Sequence, residues 1–224
     1  MASLPITMHY GLHPHVHLAE VDGDLVLMDA RQNEYFCIAC DEASGVVSDL
    51  KGSNRFPGSA ALHMELEAAG LYGSLDQPRT HHPILDLATA DIFADEITPI
   101  PAYMLPRLSI AAAQAWWRLR VRRPEQWLTL ADRRRARFRT ANADEVRRLA
   151  QIAFRARALF PGAARCLPNS MLLLELLAMH GLTARWVFGV RTHPFDAHCW
   201  VEHEGTVLND SLDHVRWYRP IAEA

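Results

Sequence analysis

From His15 to Ala39 apolar residues gather in three short strand-like runs, H-V-H-L-A-E-V, L-V-L-M-D-A and Y-F-C-I-A. Asp22-Gly23 and the Arg31-Gln32-Asn33 stretch separate them, and both are turn chemistry, so the pattern predicts three strands joined by tight turns. The spacing then becomes helical. Asp41 is a candidate N-cap for a helix with Ala43, Val46, Val47 and Leu50 on one face, closing at Gly52. Residues 53–57 read as loop, and a further helix over 59–69 carries Leu62, Leu66 and Ala69 on one stripe. Residues 77–106 are rich in proline, which predicts a boundary between Tyr72 and Pro83 and two domains, 1–78 and 84–224. The run 86–97 fits either a short helix or an extended crossing.

The second domain begins with helical patterns. Residues 108–121 offer Ile110, Ala111, Ala115, Trp116 and Leu119 for packing. Residues 124–139 are crowded with arginine, and 144–160 repeat Val146, Leu149, Ile152, Ala153, Ala156 and Leu159 at helical spacing. Cys166 opens a Leu-rich helical run that stops at Gly181. An apolar strand follows over 185–190, then a loop with Pro194, a strand carrying His198, a turn at Glu204-Gly205 and a last strand ending at Asp210.

That layout carries chemistry. A thiol attacks as its thiolate, and the unpaired N–H groups at a helix start favour the negative form of Cys166; Pro168 is tolerated in that first turn. If the chain folds back at Glu204-Gly205, residue 198 falls opposite 210 or 211. Asp210 would then orient His198, completing a nucleophile, base and orienter. Taken singly, a helix-start cysteine is commonly a small core residue and a strand histidine a structural one. The three residue types arriving in this order favour the catalytic alternative, an order shared by papain-like and transglutaminase-like cysteine enzymes.

The segment from Arg165 to Asp210 resembles the B proteins of lasso-peptide biosynthesis, leader peptidases with a transglutaminase-like core. The resemblance rests on Arg165-Cys166-Leu167, Ser170, His180-Gly181-Leu182, Phe188-Gly189-Val190 and Pro194-Phe195-x-Ala197-His198-x-Trp200-Val201-Glu202, then Gly205, Val207-Leu208 and Asp210. Cys199 departs from it, since a small residue, usually alanine, is expected after the histidine. The resemblance implies hydrolysis of the leader–core bond of a precursor peptide by Cys166, His198 and Asp210, with Ser170 supporting the site. It also implies handover of the core to a separate asparagine-synthetase-like cyclase, which accounts for the ATP used by such pathways. The first domain is similar in pattern to the PqqD-like element that binds leader peptides. There the leader would pair along Tyr35, Phe36, Cys37 and Ile38 and lean on Leu62 and Leu66; the alternative is that these residues only form the small core. The fold class expected is α+β: a three-stranded winged-helix-like domain followed by a transglutaminase/papain-like cysteine peptidase domain. An acyl-transfer enzyme with the same triad, or a peptide-binding scaffold without catalysis, are the competing readings.

Composition narrows the rest. Half the residues are hydrophobic and the net charge is −3, a globular balance. Lys51 is the only lysine; without a G-x-x-x-x-G-K-[S/T] run no P-loop exists and no cofactor is assigned to the chain. Arg118, Arg120, Arg122 and Arg123 with Arg133, Arg134, Arg135, Arg137 and Arg139 form one basic stretch, read as a solvated face or a surface meeting an acidic partner, not a nucleic-acid site. Cys37-x-x-Cys40 lacks the second pair a zinc ribbon needs; His13, His15 and His17 alternate without a carboxylate, so they are read as surface and no metal is expected. No apolar run reaches a membrane span and Met1-Ala-Ser-Leu-Pro lacks a signal-peptide start, so a cytoplasmic, thiol-reducing setting is expected.

Overall fold

The computed structural model describes residues 9–39, 58–75, 87–93, 99–138, 143–160, 162 and 165–224. Its contacts divide the chain into two units, Met1–Pro83 and Ile84–Ala224. The 41–52 helix of the sequence reading, and Cys40 of the Cys37-x-x-Cys40 pair, lie outside the described residues.

In the first unit, β1 (His9–Leu12) precedes the antiparallel sheet β2 (Val16–Val21), β3 (Asp24–Asp29) and β4 (Glu34–Ala39). Asp22 and Gly23 both have positive φ (53° and 90°), the backbone a two-residue hairpin turn needs for its strands to keep their twist. The second turn is held by Asp29, whose Oδ1 accepts the N–H groups of Arg31 (2.7 Å) and Gln32 (3.1 Å). Helix α1 (Ala60–Ala68) starts where Ser59 Oγ accepts the Leu62 N–H at 3.3 Å. The chain then returns as β5 (Tyr72–Leu75), pairing with β1 from His9↔Leu75 to Leu12↔Tyr72. Leu12, Val16, Leu25, Leu27, Leu62, Leu66, Leu71 and Tyr72 form the core.

The reading of His13, His15 and His17 as surface changes here. His15 is buried, not on the surface, and its Nε2 lies 3.9 Å from the buried Asp29 carboxylate. His13 and His15 lie outside the strand that carries His17, with their rings stacked 5.5 Å apart, so the three do not share a strand face.

In the second unit a five-stranded sheet takes the order β10-β7-β8-β9-β6, with β6 (Ala90–Asp91), β7 (Arg185–Arg191), β8 (Asp196–His203), β9 (Thr206–Val207) and β10 (Arg219–Glu223). Only β6–β9 is parallel. The helices are α2 (Leu105–Val121), α3 (Pro124–Arg137), α4 (Ala143–Ala156), α5 (Cys166–Met179) and the short α6 (Leu212–Val215). Every residue of α5 from Asn169 to Leu177 is buried. A helix apolar on all sides must be enclosed, and α5 packs against α2, α4 and β8. It stops at Gly181, where φ is 71°.

The one acid inside α5 explains part of the basic stretch. Glu175, 1% exposed, faces Arg134, whose Nη1 and Nη2 donate to its two oxygens at 3.1 and 2.9 Å. Arg118 Nε lies 2.8 Å from Oε1 but off the N–H axis, a charge contact more than a directed hydrogen bond. The acidic partner of these two arginines is therefore internal, and it ties α2 and α3 to α5. Ile110, Trp116 and Leu159, read as packing residues, are instead 48%, 57% and 58% exposed; Leu108, Ala111 and Ala115 bury α2. The architecture is α+β, and no helix among the described residues is long and apolar enough to cross a membrane.

Candidate active site

The site is built where the head of α5 meets β8. The β7–β8 hairpin sets the register Gly189↔His198. Gly189 admits no side chain: a Cβ there would stand 2.8 Å from the Trp200 ring and 2.9 Å from Tyr218 Cβ. That close approach lets Tyr218 lie against the His198 ring at 4.9 Å.

At the far end of β8 the chain turns through Glu204 and Gly205, both at positive φ (48° and 74°). The ladder that follows is short: Glu202↔Val207 and His203↔Thr206, a register that would carry residue 211 opposite 198. It stops because side-chain bonds replace it. Asn209 Oδ1 accepts the Val201 N–H at 2.8 Å, Asn209 Nδ2 donates to Ser170 Oγ at 2.9 Å, and Asn169 Nδ2 donates to the Asn209 carbonyl at 3.1 Å. The backbone leaves the sheet, and the Asp210 carboxylate still reaches His198 Nε2 at 2.5 Å.

His198 Nε2 is committed to Asp210, which leaves Nδ1 for the thiol of Cys166, a hydrogen-bond partner of His198. The structure therefore brings Cys166, His198 and Asp210 together. Cys166 is held down to about 4, chiefly by the Cys199 thiol bonded to its sulfur; burial opposes this, and His198 and the Cys199 backbone add to it. Burial alone would lower His198, but its bonds to Asp210 and Cys166 lift it to about 9. Asp210 sits below its ordinary value because the His198, His214 and Ser211 N–H donors outweigh burial. At neutral pH the pair is a thiolate beside an imidazolium, the reactive form of a cysteine nucleophile.

Several participants were missed from sequence. Cys199 is buried, its thiol 3.8 Å from Ser170 Oγ, with its carbonyl accepting from that hydroxyl at 3.3 Å. His214 Nδ1 lies 2.9 Å from the same Asp210 oxygen that His198 uses. The buried Glu202 accepts from Trp200 Nε1 at 2.5 Å and pairs with Arg185. Cys199 had a signal in its place next to His198, and His214 in its place four residues after Asp210; Asn209 had none.

Among the described residues, the one grouping of metal-ligand side chains is His198, Asp210 and His214, with ligand atoms within 4.8 Å of one another. Their mutual hydrogen bonds account for the grouping as it stands. Of the six residues expected to meet a leader, Leu62 and Leu66 are 6% and 1% exposed and belong to the core of the first unit. Phe36 and Ile38 are partly buried against that core, Tyr35 is half-buried and Cys37 exposed. β4 is an outer strand of its sheet among the described strands.

The sequence pattern of the Transglutaminase-like superfamily matches residues 108–223, more than half of the chain. The chain belongs to that superfamily. The match runs from α2 to β10 and encloses Cys166, His198 and Asp210. The chain is also similar to the Microcin J25-processing protein McjB of Escherichia coli, 46% identical over 46 residues, or 20% of this chain and 22% of that protein. The chain thus aligns with less than a quarter of that relative's length. No solved structure matches it.

Proposed function

We propose that this transglutaminase-like protein is a cysteine peptidase that removes the leader from a lasso-peptide precursor. The observation that carries the reading is the meeting of Cys166, at the head of α5, with His198, whose outer ring nitrogen is bonded to Asp210 at 2.5 Å. The similarity to a microcin-processing protein supplies the substrate class.

In the proposed mechanism the Cys166 thiolate attacks the carbonyl of the last leader residue. The N–H of Cys166, at the start of α5, meets the developing oxyanion. His198 gives its proton to the departing amine, which becomes the new amino terminus of the core, and a thioester joins the leader to Cys166. Neutral His198 then takes a proton from water, hydroxide adds to the thioester, and the leader leaves as an acid with the thiolate restored. Asp210 keeps the ring oriented and stabilises its charged form. No step calls on a cofactor from this chain; an asparagine-synthetase-like cyclase, using ATP, would close the freed core.

The first unit would capture the leader as a PqqD-like element. An extended peptide adds to the outer edge of β4, where Tyr35, Phe36, Cys37 and Ile38 lie. Leu62 and Leu66 would support that edge from the core side. Mass spectrometry of a precursor peptide mixed with the protein or with Cys166→Ala tests the reading. Cleavage at one leader–core bond by the unaltered protein alone is expected; equal cleavage by both, or none with the leader bound and the cyclase added, would overturn it.

A further inference from the structure

We propose that His214 is a positioning residue of this site, acting on His198 through the carboxylate that both histidines share; this rests on the peptidase reading above. The geometry is specific. His198 Nε2 and His214 Nδ1 both bond to Oδ2 of Asp210, at 2.5 and 2.9 Å, while Oδ1 accepts the Ser211 N–H at 2.7 Å. A carboxylate held only by His198 and its neighbour's N–H can swing about its Cβ–Cγ bond. A third donor on the other side of Oδ2 removes that freedom and fixes the plane in which His198 must lie.

The fold presents His214 for this purpose. α6 begins at Leu212 after its N-cap Ser211, so Asp210 lies just ahead of the helix, and its carboxylate meets His214 in the first turn, four residues on. That turn is anchored at two of its open donors: Ser211 Oγ accepts the His214 N–H at 3.3 Å, and Asp91 Oδ2 accepts the Leu212 N–H at 2.7 Å. The His214 ring stands 4.7 Å from the His198 ring and meets Tyr218 edge-on at 5.5 Å. The His214 side chain is 43% exposed, against 11% for His198. The ionisable groups facing Asp210 are His198 from β8, His214 from α6, Arg157 from the 3-10 turn after α4, and Tyr218. Losing one donor destabilises the carboxylate form and raises the pH at which Asp210 stops supporting His198.

The test compares His214→Phe, which fills the space without a donor, with His214→Gln, which keeps an N–H. Leader cleavage across pH gives kcat and KM, and iodoacetamide alkylation of Cys166 across pH gives a readout needing no peptide. His214→Phe should lower kcat about tenfold, the rate equivalent of one charge-assisted hydrogen bond, with KM within about twofold. It should also move the acid limb of both profiles upward, and His214→Gln should restore most of kcat. His214→Ala carries the same expectation if the phenyl ring disturbs folding. Unchanged kcat and acid limb in the donor-less variants, or equal losses in Phe and Gln, would overturn the inference. Rapid low-pH alkylation of the unaltered protein without leader cleavage would instead sink the peptidase reading, and the alkylation limb would still judge His214.

Discussion

Replacing Arg134 by methionine keeps an unbranched apolar side chain but removes the guanidinium that grips both oxygens of Glu175. Glu175 is 1% exposed, so its charge cannot turn to water, and Arg118 then faces it alone with a poorly directed contact. Removing one partner of a buried pair costs about 3–5 kcal/mol, and the remaining arginine points to the lower end, about 3 kcal/mol. For a unit of roughly 140 residues, unfolding entropy near 2.1 cal/mol/K per residue amounts to about 300 cal/mol/K. The melting temperature should therefore fall by about 10 °C in differential scanning calorimetry. Arg133→Met, on the exposed side of α3, should stay within about 0.5 kcal/mol. A Glu175→Leu/Arg134→Met double variant should recover part of the loss, because the uncompensated charge is gone. A fall of less than about 3 °C for Arg134→Met would mean that the pair behaves like a surface salt bridge, and the reasoning would be refuted.

Other outcomes follow from the site. Alkylation of Cys166 should rise as pH passes about 4, where the thiolate forms, and the ion pair should be lost as pH passes about 9, where His198 gives up its proton; a single limb at the ordinary thiol value would contradict this. Cys199→Ala removes the largest influence lowering Cys166, so its acid limb should move upward while the fold persists; an unmoved limb would deny the thiol its part. Asn209→Leu strands the Val201 N–H in the interior and takes one donor from Ser170 Oγ, which keeps its bond to the Cys199 carbonyl, a loss of about 1–3 kcal/mol by denaturant titration, with slower leader cleavage because Asp210 loses its anchor. Gly189→Ala forces a Cβ into Trp200 and Tyr218; it should cost about 1–3 kcal/mol, and a neutral effect would mean that the β7–β10 contact is loose.

Much of this molecule was legible in local patterns. Short apolar runs bounded by turn residues marked β2, β3 and β4, and the enclosed Leu-rich run marked α5 with Cys166 at its head. The ladder of β1 with β5 was not legible, since it joins two four-residue strands across the whole first unit and one contains Gly11, the other Gly73. β10 was not legible either, since its hydrogen bonding to β7 depends on partners some thirty residues away in sequence. Apolar spacing on α2 suggested Ile110 and Trp116 for packing because the period alone does not say which stripe faces inward; Leu108, Ala111 and Ala115 win that place. Within the site, hairpin register predicted that Asp210 would meet His198, and it does, but through a backbone that has already left the sheet under the pull of Asn209. Cys199 stood out only as a departure from the family pattern; the side-chain directions of β8 against α5 reveal its thiol on the sulfur of Cys166.

The most direct measurement is covalent trapping. A synthetic leader peptide ending in a chloromethyl ketone would be mixed with the protein, so that thiolate attack displaces chloride and leaves a stable thioether. The adduct would be digested and the modified residue located by tandem mass spectrometry. Attack by the Cys166 thiolate predicts that one leader adds per chain at Cys166, that Cys166→Ala abolishes the adduct, and that His198→Ala slows it strongly. A leader that binds yet labels another residue, or labels Cys166 equally fast without His198, would contradict the account.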